Sequence, residues 1–381
     1  MKTCLCGLGF ALLAVLVTAC SGAPFSSPAP DEPPARPGAA WPQPLGDVPL
    51  QRASLPAPVP LLDVAVLVFD TGLAELDGEK VDTVFAEVRK AESLFVPVQL
   101  RRALQKSSHW GVVRVVPERP DSVALTVSGK IVHADGRDLV LSVTAIDAAG
   151  REWLSRTYRG RSAAQDYPVS KSGEPFDDVY HRIANDLLAA RSGLAASDLA
   201  LLPDIALMRF AERLAPAVFS GYLRQTEEGR FALAGFPADG DTMLRRIRRL
   251  QRQENLFIDT VDEQYSTLVD EFAPTYHLWR EYSRELVVYE EDYVARASQR
   301  EIQSRRGTFA AMQQTYNTFR RAKVHEQDLY ELARGFDNEV TETVVDVDDR
   351  IFRLQGSLQE QFTEWRRLLE RIFALEVNAT P

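Results

Sequence analysis

Beyond position 20 the chain has no cysteine. Its 3 cysteines, in 381 residues, are Cys4, Cys6 and Cys20, so neither a disulfide nor a thiolate-bound metal can form in the remainder. Histidine is nearly as scarce. None of His109, His133, His181, His277 and His325 stands at metal-ligand spacing from another, and no HExxH occurs. A Walker loop and a G-x-S-x-G elbow are also missing. Carboxylates are plentiful, but as adjacent acids such as Glu290-Glu291-Asp292 and Asp346/Asp348/Asp349. That pattern suits a solvated surface better than two acids facing each other across a cleft. The D-x-D-D stretch lacks the glycine and distal glutamate of an EF-hand. No cofactor and no metal is expected. An excess of positive charge is missing too: 44 basic against 54 acidic residues give a net charge of −10, which argues against nucleic acid as a partner. After the N-terminus no apolar run approaches the length of a membrane helix.

What is present begins with Lys2 and an apolar run from Leu8 to Val17, followed by Thr18 and Ala19 before Cys20. This reads as a secretory signal whose apolar region is too short to span a bilayer. Residues 13–20, Leu-Ala-Val-Leu-Val-Thr-Ala-Cys, resemble the lipobox of bacterial lipoproteins. The resemblance implies cleavage before Cys20, which would carry a diacylglycerol thioether and an N-acyl chain. Each buried methylene contributes about 0.8 kcal/mol, so several chains hold lastingly. Ser21, where an aspartate would retain such proteins in the inner membrane, resembles the outer-membrane sorting pattern. The expected address is the periplasmic side of the outer membrane, with its inner leaflet as the first partner.

Periodicity divides the chain after the signal at 1–19. Residues 20–60 are rich in proline, alanine, serine and glycine and read as a disordered tether. Residues 61–193 read as an α/β domain. LDVAVLVF (62–69) is a valine-rich strand, and a helix spans about 82–106, with Pro97 either kinking it or starting a second one. A strand at 111–116 follows. Then come three antiparallel strands around a tight I′-type turn at Asp135-Gly136. A helix carrying the stripe Phe176, Val179, Tyr180, Ile183, Leu187 closes the unit. Residues 198–340 read as helical, with one helix from Ile205 to Leu223, an interruption at Pro274, and either a hairpin near Ser304–Gly307 or one continuous rod. Residues 341–381 read as a β-hairpin and a helix capped by Ser357 with Glu360. The fold class expected is α+β, with helices on one face of a mixed sheet followed by long amphipathic helices.

The order β-α-β-β-β-β-α, with VAVLVF, HWGVVRVVP and LTVSGKIVHADGRDLVLSVTAIDAAGREW, resembles the periplasmic lipoprotein domains related to the TolB N-terminal domain. Activators of peptidoglycan synthases and the curli-secretion lipoprotein belong to that group. The resemblance covers about a third of the chain and implies an adaptor or assembly factor rather than an enzyme. Because curli-secretion relatives form rings, it also leaves a homo-oligomer open. VVDVDDRIFRLQGS resembles the strand pair of BON-type envelope modules.

Two clusters stand out as candidate sites. Arg245, Arg246, Arg248, Arg249 and Arg252 form either a solvated helix face or a surface for an anionic envelope polymer or lipid headgroup. Trp279, Tyr282, Tyr289 and Tyr293 recur in steps of three and four, as a core seam or as a partner-binding face. The function expected is a non-enzymatic adaptor for an envelope protein. Direct binding of peptidoglycan, lipopolysaccharide or anionic phospholipid is the second reading, and an envelope hydrolase the third.

Overall fold

The computed structural model describes residues 41–53, 61–75, 86–169, 173–303, 343–347 and 350–378, all within the unit Trp41–Pro381. The valine-rich strand β1 (Val64–Leu67) lies inside a five-stranded sheet. It pairs in parallel with β2 (Val113–Val116) and with β3 (Leu125–Ala134). Strands β3, β4 (Asp138–Asp147) and β5 (Glu152–Arg161) form the expected antiparallel meander, and the order across the sheet is β2-β1-β3-β4-β5. Helices α1 (Ala86–Ser107) and α2 (Asp177–Ser192) cover one face. Val96, Leu100 and Leu104 of α1 and Val179, Ile183 and Leu187 of α2 pack on Val66, Val127, Leu141 and Val143.

α1 runs through Pro97 as one helix. A proline has no N–H to give the carbonyl four residues back, and the freed Ser93 carbonyl instead accepts the Phe69 N–H at 3.0 Å. The break is thereby turned into a tie between helix and β1. The turn of the β3–β4 hairpin also differs from the expected I′ type, which needs two positive φ angles. Only Gly136, at φ +76, has one. The Asp135 carboxylate closes the turn, accepting the Arg137 and Asp138 N–H groups at 3.0 and 2.7 Å.

The second layer is mainly helical. α3 (Ala196–Leu214) is followed by the short α4 (Pro216–Phe219), then by a small hairpin of β6 (Leu223–Gln225) and β7 (Phe231–Leu233). The single helix expected up to Leu223 therefore ends at Leu214, because Pro216 starts a new turn. α5 (Thr242–Gln303) has 62 residues, about 90 Å at 1.5 Å per residue. Pro274 does not interrupt it. The proline lies on its exposed side, where water can take the freed carbonyl. The hairpin β8 (Thr343–Val347) and β9 (Arg350–Leu354) forms as expected. So does α6 (Leu358–Asn378), whose capping box closes through Ser357 N–H to Glu360 Oε2 at 2.8 Å and Glu360 N–H to Ser357 Oγ at 3.3 Å. The turn expected near 304–307 lies outside the described residues.

α5 packs on α1 and on the edge strand β2. Its inner stripe, Phe257, Val261, Tyr265, Val269 and Phe272, joins Phe95 and Val115 with Phe210 of α3 and Phe362 and Trp365 of α6 in one core. Phe257 stacks on Trp365 with ring centres 4.9 Å apart.

The tether expected over 20–60 is corrected at residues 41–53. Residues 41–53 lie extended along β5 and α2. The Leu45 N–H meets the Arg159 carbonyl at 2.8 Å, the Val48 N–H meets Asp178 Oδ1 at 2.7 Å, and the Gln51 N–H meets Asn185 Oδ1 at 2.9 Å. Leu45 and Leu50 are partly buried against the sheet core, and the Trp41 ring sits 4.6 Å from that of His133. Proline keeps this strand extended, and side chains of α2 satisfy its backbone groups.

Gly136 and Gly150 separate packing from backbone conformation. Both have positive φ, but a Cβ on Gly136 would fall 2.1 Å from the Arg280 carbonyl oxygen, whereas one on Gly150 meets nothing within 4 Å. Gly150→Ala should cost only the backbone strain, on the order of 1–3 kcal/mol. Gly136→Ala should cost clearly more, read as a lower urea midpoint. Equal losses would refute the close approach of the β3–β4 turn to α5.

Candidate functional site

The inner face of α5 carries charge as well as apolar side chains. Starting from its N-terminal third, the Ser122 hydroxyl donates to Glu254 at 2.6 Å, Arg114 pairs with Asp259 at 2.5 Å and Arg101 pairs with Asp262. Asp262 also accepts the Val115 N–H at 2.7 Å, so the outer edge of β2 is capped by a carboxylate rather than left open. Arg102 pairs with Asp270 at 2.6 Å. Burial raises the carboxyls of Glu254 and Asp262 above the ordinary range, with Ser122 and the Val115 N–H as the largest opposing influences.

Further along, the seam is buried outright. Tyr276 donates to Glu92 at 3.0 Å, and Arg89 lies 3.3 Å from the same carboxylate. Arg280, 1% exposed, grips Glu174 through two bonds of 2.5 and 2.8 Å. Its guanidinium also lies 5.2 Å from the Phe95 ring, 5.6 Å from Phe176 and 4.7 Å from Tyr276, a cation–π setting. Burial alone would lower the Arg280 pKa, but the Glu174 carboxylate outweighs it and holds the charge. Burial pushes Glu92 up, against Arg89 and Tyr276. The last tie joins Arg137 to Glu291.

Beside this seam, between α1, α2 and α5, opens a cleft of about 750 Å³ lined by Arg102, Lys106, Asp177, His181, Asp270 and His277 among others. Burial, then the neighbouring Glu174, raises the Asp177 carboxyl. Burial, helped by Arg280, lowers His277 to about 4, so its imidazole is neutral near pH 7. Much of the charge here is engaged across the seam: Arg102 is held by Asp270 and Glu174 by Arg280. The cleft lies at the joint between the two layers. Among the described residues, no group of three His, Cys, Asp or Glu could hold a metal ion, and no helix is long and apolar enough to cross a membrane.

The two clusters picked out in the sequence fare differently. Arg245, Arg248 and Arg252 are exposed on α5, whereas Arg246 and Arg249 are half-buried and engaged with other groups. The cluster of five is therefore a stripe of three. Trp279, expected as a candidate partner contact, is 5% exposed and stacked on Tyr276 at 6.1 Å. Tyr282 is partly buried against the same core. The helical repeat turns 276, 279 and 283 inward with 272, so these aromatics are packing and not a free face. Tyr289 is half-buried. Cys20 and the Tyr293 side chain lie outside the described residues. Sequence reasoning missed Glu92, Glu174, Tyr276 and Arg280. Two signals were available: Glu92 interrupts an apolar stripe next to Ala91 and Phe95, and Arg280 follows the buried Trp279.

The Arg280–Glu174 pair should behave as a buried ion pair. Arg280→Leu alone should cost roughly 3–5 kcal/mol by stranding Glu174. Adding Glu174→Gln should recover part of that loss in denaturant titrations, and simple additivity would contradict the pairing. His277 yields a pH test. Its folded pKa lies below its unfolded one, so the stability linked to it is present above about pH 6.5 and is lost as pH falls toward about 4. His277→Gln should flatten that part of the stability–pH curve, and an NMR midpoint near 6.5 would refute the burial. The chain matches no family model, no curated protein and no solved structure.

Proposed function

We propose that this chain is a lipid-anchored adaptor of the bacterial envelope, held at the inner leaflet of the outer membrane through Cys20 and acting by binding an envelope protein rather than by catalysis. The observation that carries the reading is the stretch 13–20, in which an apolar run and two small residues precede Cys20. Residues 21–40 are rich in proline, alanine, serine and glycine, a composition that suits a leash worth about 60 Å at full polyproline extension. The engagement of the cleft charges with one another favours binding over turnover. Likeness to the TolB-related group rests on element order and the quoted strands, and it supports an adaptor in the same way.

Two measurements test this. The wild-type chain should incorporate labelled palmitate in cells and fractionate with the outer membrane, and Cys20→Ala should abolish both. With photocrosslinkers at the exposed Val132, Leu201 and Leu278, the anchored chain should give one dominant protein adduct that Cys20→Ala loses. Labelling without any protein adduct would leave an anchored protein that is not an adaptor.

A further inference from the structure

The outer face of α5 changes character along its length. Arg245, Arg248 and Arg252 follow one another in steps of three and four on the exposed side, and Leu256 comes four residues later on the same stripe. Beyond it the exposed positions include the acids Asp259, Glu263, Asp270, Glu271 and Glu285, interspersed with Thr260, Thr267, Pro274 and Leu278, and no exposed arginine or lysine is seen there among the described residues. The cationic stretch is confined to the first four turns.

Three properties set these arginines apart. Among the described residues they lack acidic partners: Arg245 reaches the Thr242 hydroxyl, at 3.2 Å, and no side-chain hydrogen bond or ion pair holds Arg248 or Arg252. Elsewhere on the body arginines are mostly paired, including Arg101, Arg102, Arg114, Arg213, Arg280 and Arg366. Arg245 also stands at the wrong end of the helix, in its first turn. An N-terminus carries partial positive charge and favours acids. Asp241 supplies the cap, accepting the Leu244 N–H at 2.8 Å, yet the first turn holds no acid. Packing does not explain them, since the core contacts of this segment belong to Leu244, Ile247 and Leu250.

Leu256 decides which anion fits. At 66% it is more exposed than any other large apolar side chain among the described residues. A hydrated glycan has no use for it, whereas a phospholipid interface takes guanidinium forks at its phosphates and an apolar side chain just beneath. We infer that Arg245, Arg248, Arg252 and Leu256 form a docking stripe for an anionic phospholipid surface, on which the first turns of α5 lie flat while the acidic remainder is held off. The inference does not draw on the lipid anchor, and its test leaves the anchor out.

The test uses the full-length chain with Cys20→Ala, floated with phosphatidylethanolamine vesicles with or without phosphatidylglycerol. The apolar N-terminus is the same in every variant, so only differences between variants are read. Binding to the phosphatidylglycerol vesicles should be salt-sensitive, and R245E/R248E/R252E should weaken it at least about tenfold. R367E/R371E, which reverses two exposed arginines of α6, should leave it nearly unchanged. Leu256→Ser should weaken binding while preserving its salt dependence. Thermal unfolding checks that each variant is folded. Equal losses from the two reversals would overturn the stripe in favour of diffuse charge. No preference for phosphatidylglycerol would also overturn it. Self-association that only the α5 reversal disrupts, without vesicle binding, would give the face to a second copy of the chain, and binding only to isolated sacculi would give it to a polymer.

Discussion

The ionic seam between α5 and the sheet is the constraint on which the rest of the structure depends. A helix of this length with an apolar stripe could slide by a turn along the body at small cost, because hydrophobic contact has no direction. Charged pairs do not slide. Arg114 with Asp259, Arg101 with Asp262 and Arg280 with Glu174 each meet only in one register. A shift by one turn would strand several buried charges at once, a far larger penalty than the net worth of any intact pair. The seam therefore acts through specificity, and the aromatic packing around it supplies most of the favourable burial.

The same seam also disposes of the weak points of the sheet. An open mixed sheet has two edges that invite pairing with other chains. α5 closes the first, where Asp262 takes the Val115 N–H of β2. The strap at 41–53 meets the second near Arg159 of β5. Gly136 shows how tightly the layers are joined: the β3–β4 turn approaches the backbone of α5 so closely that no side chain fits there. Its carbonyl is further held by the hydroxyls of Ser162 and Tyr167, each at 2.8 Å.

Elements whose signal is local were legible in the sequence. The meander β3–β5 follows from alternating residues and an Asp-Gly turn, and α6 follows from its capping box and a stripe in which Phe362, Trp365 and Leu369 are all buried. Features that depend on distant partners were not legible. Pro97 reads as a break until Phe69 is seen to take the carbonyl it frees. Residues 41–53 read as tether because their composition offers little to bury, and their partners, Asp178 and Asn185, stand more than 100 residues away. The hairpin β6–β7 has strands of three residues, too short for periodicity to register. In the candidate sites the repeat identified a stripe without saying which side of it faced inward. That is why Trp279 and Arg245 were equally eligible before packing separated them.

The separation bears on what α5 can do. Its inner face carries the apolar stripe into the core, and the acids along its flank are matched to Arg101, Arg102 and Arg114 of the sheet layer. The arginine stripe lies on its outer face. That face is divided at Leu256, with Arg245, Arg248 and Arg252 before it and acids after it, of which Asp259 and Asp270 already pair with Arg114 and Arg102. A partner surface of uniform charge can lie against one portion and is repelled by the other, so the helix presents an oriented contact rather than a uniform rod. An anionic surface selects the first four turns, close to where α5 packs on α3 and α6. The distal acidic stretch, part of its charge already spent on Arg114 and Arg102, would be repelled by such a surface.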